Sequence, residues 1–195
     1  MQKSKLFFWI NTLILFLFSV IFILNKNYEF LLYIGTLFLG VYFLYVLDKK
    51  YNFSSLSLSL FSVWMFLHFC GGSVYLEGVR LYDTILIPLF GDPLFILKYD
   101  QVVHTFCYFV LTLLIYQVLK NYIKNARKKE NNKKFILGVF TFLGGIAIGS
   151  LNEIIEFSTV VLFGSTGVGG YYNNSLDLIF NSIGALLAVL FSSKN

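Results

Sequence analysis

The residues best placed to do chemistry are acids set inside apolar runs. Residues 135–163 carry only two ionised side chains, Glu153 and Glu156. Three apart on a helix, they share a face. A second run opens on Asp100 and His104, four apart, and a third on Asp177 and Asn181, also four apart. Each helix thus offers a paired polar edge. Ionised groups are costly in hydrocarbon, so these edges are expected to face the protein interior or a wet cavity. Carboxylates beside a histidine suit a divalent metal or acid–base proton transfer.

Each residue also has a structural reading. Asp100 is a good helix N-cap, and Asp177 sits near a helix start in the same way. Glu153 and Glu156 fit a helix that rises into the headgroups. His68 and His104 fit satisfied interior histidines. For Glu153, Glu156, Asp177 and Asn181 together the functional reading is favoured, because charge within spans usually marks a site.

The elements that must hold these groups follow from composition. The 195 residues are 57% hydrophobic and 13% charged, against about 25% charged in an ordinary soluble domain. Mean hydropathy is +0.75. The runs near 6–24, 30–47, 54–70, 101–119, 135–163 and 175–191 are each about long enough for a membrane helix. They lack the alternation of barrel strands. The expected fold is all-α: a polytopic helical bundle of about six transmembrane helices in one membrane domain, residues 1–195. Residues 54–59 alternate serine and leucine as a strand would, but the apolar run continues and reads as helix. Residues 71–99 hold Gly71, Gly72, Pro88, Gly91 and Pro93, and their apolar stretches are too short to span. An interfacial or re-entrant segment is expected there. Cys70 and Cys107 lack metal-finger spacing and read as small apolar residues.

Charge sets the orientation. With both termini cytoplasmic, twelve basic residues fall inside, among them Lys3, Lys5, Lys49, Lys50, Lys120, Lys124, Arg127, Lys128, Lys129 and Lys194. Only Lys26, Arg80 and Lys98 fall outside. The net charge of +5 therefore reads as a topology signal in a plasma or inner membrane, with lipids as partners and no nucleic acid. Glu153 lies 19 residues past Lys134, roughly 28 Å along a helix, so it too falls near the outer face. His68, Asp100, His104 and Asp177 reach that depth on other helices. Convergence of Asp100, His104, Glu153, Glu156, Asp177 and Asn181 on one pocket is expected.

Tyr99-Asp100 with His104, then Asn152-Glu153-Ile154-Ile155-Glu156, then Asp177-x-x-x-Asn181-x-x-Gly184 resemble the YjdF-type inner-membrane proteins. His68-Phe69-Cys70-Gly71-Gly72, followed by Tyr75, resembles a His-x-x-Gly stretch of that type. In looser form the pattern is similar to the VanZ-like family, named for glycopeptide-antibiotic resistance. The resemblance covers roughly residues 68–188 and implies a polytopic helical fold with no assigned reaction. It adds Asn152 and Tyr75 to Asp100, Asn181 and His68 as binding candidates. The linker before Asp177 departs from the type: where aspartates are usual, it ends Gly167-Val168-Gly169-Gly170-Tyr171-Tyr172-Asn173-Asn174.

Three functions compete. One is an enzyme acting on lipid or cell-envelope substrates at the outer leaflet, with His104, Glu153, Glu156 and Asp177 as catalytic candidates and His104, Glu153 and Asp177 as ligands of a divalent metal. The second is a binding or transport protein whose acids hold a cation. Against a proton path, residues 135–148 contain no ionisable group. The third is a resistance or structural factor whose polar cluster only joins helices, at roughly 0.6–2 kcal/mol per interhelical hydrogen bond.

Overall fold

The structure, a computed structural model, describes residues 3–92, 94–123, 130–164 and 169–193. Six helices fill most of it: α1 (Lys3–Leu24), α2 (Tyr28–Tyr51), α3 (Ser55–Ser73), α4 (Tyr99–Ile123), α5 (Glu130–Phe163) and α6 (Tyr171–Ser193). All six contain windows long and apolar enough to cross a membrane. They run past the apolar windows because capping and polar residues extend them. Asn27 caps α2 by accepting from the Phe30 N–H, and Ser54 caps α3 by accepting from the Ser57 N–H. Asn52 ends α2 in the left-handed conformation, φ 50°. The serine–leucine alternation at 54–59 is helical. Its buried Ser57 accepts a hydrogen bond from Gln117 Nε2 at 2.7 Å, so the serines pair with α4.

The helices pack in two groups. α1 lies on α2 and α3 around an aromatic core that includes Phe18, Phe22, Phe30 and Phe69. α4, α5 and α6 pack on one another, and α3 against α4 joins the groups. The first group is also tied at the far end from the polar residues. There Lys3 Nζ lies 3.2 Å from Asp48, whose carboxylate accepts from Ser4 Oγ at 2.6 Å.

Between α3 and α4 the chain forms two small antiparallel hairpins, β1 (Tyr75–Leu76) with β2 (Val79–Arg80) and β3 (Ile85–Phe90) with β4 (Ile96–Lys98). Sequence reading expects a non-spanning segment here without naming strands. The β1–β2 turn is made by Glu77 and Gly78 at φ 51° and 83°. Two positive φ angles suit the right-handed twist of a two-residue hairpin, and glycine takes one at no steric cost. A short 3-10 turn, Leu81–Asp83, follows β2 and buries Tyr82. Of the irregular residues noted in the sequence, Pro93 lies outside the described residues.

At the end of the bundle where α4 and α6 begin lie Lys26, Arg80 and Lys98. Lys3, Lys5, Lys49, Lys50, Lys120, Lys133 and Lys134 lie toward the opposite end. Lys124, Arg127, Lys128, Lys129 and Lys194 lie outside the described residues.

Candidate functional site

Three helices bring the polar edges together. α4 supplies Asp100 and His104 one turn apart, α5 supplies Glu153 and Glu156, and α6 supplies Asp177 and Asn181. The opposite face of α5 shows Leu151, Ile154 and Phe157 to the outside, each more than half exposed. That division is what the three-residue spacing of the acids demands. The α4–α6 approach is close enough that a Cβ on Gly184 would overlap the Thr105 carbonyl oxygen and come 2.9 Å from the Phe109 nitrogen.

The hydrogen bonds orient His104. Asn181 donates from Nδ2 to Glu153 Oε1 at 3.1 Å, which leaves its Oδ1 facing His104 Nδ1 at 2.9 Å. The imidazole therefore carries its proton on Nδ1 and donates to the amide oxygen. Nε2 points the other way, 3.4 Å from Asp100 Oδ1 and 3.7 Å from Glu156 Oε1. Glu153 Oε1 is also 3.7 Å from Nδ1. A metal-binding histidine commonly has this arrangement, with one nitrogen held by a hydrogen bond and the other open.

The candidate metal ligands divide into two groups that share His104: Asp100, His104 and Asp177; and His104, Glu153 and Glu156. In each group the nearest ligand atoms lie within 4.8 Å of one another. The trio His104, Glu153 and Asp177 expected from sequence is thus spread over both. Asp177 is fully buried. Its Oδ2 accepts from Asn173 at 2.6 Å, while its Oδ1 has no hydrogen-bond partner. Asn152 donates to Glu156 Oε1 at 2.6 Å.

His68 sits beside this cluster, stacked among Phe30, Tyr33 and Trp64. Its Nδ1 is 2.5 Å from the Tyr82 hydroxyl, so it is a satisfied interior histidine that still lines the cavity. Burial, with Asp100 and Glu156 adding to it, pushes the Tyr82 phenol well above its ordinary pKa, so the phenol keeps its proton. Tyr75 lies on β1, exposed at the cavity rim. Asp100 lies within the first turn of α4, which begins at Tyr99, and its two oxygens face His104 and Asn173.

Asp100, His104 and Glu156 of the cluster line a cavity of about 710 Å³, together with Tyr82, Arg80 and Lys98, whereas Glu153, Asp177 and Asn181 are not among its lining residues. Arg80 bonds Asp83 at 3.0 Å and lies 3.9 Å from Glu29, which ties the hairpin segment to α2. A cleft of this size suits a small-molecule ligand.

Sequence reading missed Asn173 and Asn174. Asn173 donates to Asp177 and, at 3.3 Å, to Asp100, and Asn174 donates to Glu153 Oε2 at 2.9 Å. The signal was present, since Asn173 precedes Asp177 by four residues and Asn174 precedes Asn181 by seven, both helical spacings. Both lie in the first turn of α6, at the end of the stretch that the sequence reads as linker. Gly167 and Val168 of that linker lie outside the described residues. Tyr82 was missed as well, because its partner His68 is on another element. Cys70 and Cys107 are free thiols.

Compared with known proteins, residues 5–194 match the family described as "Predicted membrane protein (DUF2238)". No curated protein and no solved structure matches the chain.

Proposed function

As the chain belongs to the DUF2238 family of predicted membrane proteins, we propose that its polar cluster binds a divalent cation and acts there on a lipid or cell-envelope substrate. The observation that carries this is Asp177: a fully buried carboxylate with one oxygen unpartnered, within ligand distance of His104 and Asp100. A buried carboxylate with one oxygen unpartnered is costly, and a cation supplies the missing charge. Asp100, His104 through Nε2 and Asp177 would hold the ion. The Asn181–Glu153 pair fixes the imidazole, and Glu156, which also lines the cavity, stands where it can exchange a proton with a bound molecule. A bound divalent ion would polarise a phosphoryl or carbonyl oxygen. The YjdF-type pattern, and more loosely the VanZ-like one, supports a cell-envelope setting.

Elemental analysis of the detergent-purified protein tests the reading. Wild type dialysed against zinc or manganese should retain the ion, and Asp177→Asn should lose it by tenfold or more. If wild type retains neither ion, or if Asp177→Asn retains as much as wild type, the cation reading fails.

The reading places the site at the outer leaflet of the plasma membrane with both termini cytoplasmic, because basic residues concentrate at the other end of the bundle. Tyr171, at the start of α6, is 82% exposed. In a background with Cys70→Ser and Cys107→Ser, a Tyr171→Cys variant should react with a membrane-impermeant maleimide in intact cells. Reaction only after the membrane is opened would reverse the orientation.

A further inference from the structure

A second, smaller cavity of about 180 Å³ adjoins the polar one, and its character is different. Its walls include Leu37 of α2, Trp64 of α3, Val103 and Cys107 of α4, and Ile155 of α5. It meets the larger cavity at Tyr33, His68, His104 and Glu156, which line both. The polar cluster therefore stands between a charged cleft and an apolar recess. The recess lies where α2 and α5 meet along a short contact, within helices whose outer faces are apolar.

Trp64 gives an independent sign of a ligand there. It is 7% exposed, and its indole Nε1–H has no hydrogen-bond acceptor. A buried indole N–H usually finds a partner. Filling the recess with hydrocarbon alone would leave that donor unpaired. A chain that carries an oxygen acceptor near its head would satisfy both features.

We propose that the two cavities together bind one ester-linked lipid, with its head in the cleft and the start of one acyl chain in the recess, where its carbonyl accepts from Trp64. The proposal deepens the reading of the site given above and rests on it for the role of the head. Arg80 is paired with Asp83 and Glu29, so among the basic residues lining the cleft it is Lys98, together with the proposed cation, that favours an anionic, phosphate-bearing head. An acyl chain in the recess would bring the head–chain junction to His104 and Glu156.

Trp64 is also the natural reporter. The chain has two tryptophans, and Trp9 is 61% exposed on α1. In a Trp9→Phe protein in detergent micelles, Trp64 is the sole tryptophan, and its emission is excited selectively over that of the tyrosines. Phosphatidylglycerol brominated near the top of its acyl chains should quench it saturably, approaching completion at about equimolar lipid. Leu37→Phe and Ile155→Phe, which fill the recess from two sides, should each weaken that quenching by fivefold or more. Leu39→Phe, on the outer face of α2 where Leu39 is 66% exposed, should leave it intact, since that side chain lines neither cavity. Quenching that rises linearly with lipid, or that is equal in both filled variants and the parent, overturns the proposal. Saturable quenching in a protein that retains no metal would instead sustain lipid binding and remove the cation.

Discussion

A His104→Leu variant should lose about 3–5 kcal/mol of stability towards unfolding in detergent, the range found when one partner of a buried charged set is removed. His104 is the one group among Asp100, Glu153, Glu156 and Asp177 that can carry positive charge, and it touches acids on both of its nitrogens. Leucine fills similar space but leaves Asp100 and Glu156 facing each other and strands the Asn181 oxygen. The double variant His104→Leu with Glu156→Gln should recover part of the loss, because removing one charge relieves the repulsion that the first change exposed. Residues in contact are expected to show coupling of about 0.5–3 kcal/mol. Strictly additive losses would mean that His104 and Glu156 do not interact, and the site would have to be redrawn.

Gly184→Val should be the most damaging change away from the charged cluster. The added Cβ meets backbone atoms of α4 at Thr105 and Phe109, which cannot rotate away as a side chain would. α4 and α6 must then separate. That lengthens the 2.9 Å His104–Asn181 bond and the 3.3 Å bond from Thr105 Oγ1 to the Phe180 carbonyl. Overpacking of this kind costs about 1–3 kcal/mol, and occasionally more where backbone must move. The control is Gly40→Ala on α2, where an added Cβ meets nothing within 4 Å. It should be neutral or stabilising by up to about 1 kcal/mol, since alanine favours helix over glycine. If unfolding of Gly184→Val matches wild type, the close α4–α6 approach is not present in the folded protein.

Much of this arrangement is local and therefore visible in the chain itself. Six apolar stretches of spanning length fix the number of helices, because a helix must be about as long as the hydrocarbon is thick. The spacings of Asp100 with His104, Glu153 with Glu156, and Asp177 with Asn181 fix which residues share a face. Counting residues from the helix ends then sets them at one end of the bundle. These inferences need only the pitch of a helix and the cost of charge in lipid.

What the sequence could not determine depends on helix rotation and approach. Nothing local says that Asn181 bridges His104 and Glu153, because that bridge forms only when three helices turn their edges inward together. Nothing local says that Tyr82 ends beside His68, since the intervening hairpin must fold back over α3 first. The role of Gly184 was legible only as part of a motif. Its physical content, a missing Cβ that lets two backbones touch, appears when α4 is beside α6. The recess below His104 is likewise a gap between four helices, and a gap has no residue of its own in the sequence.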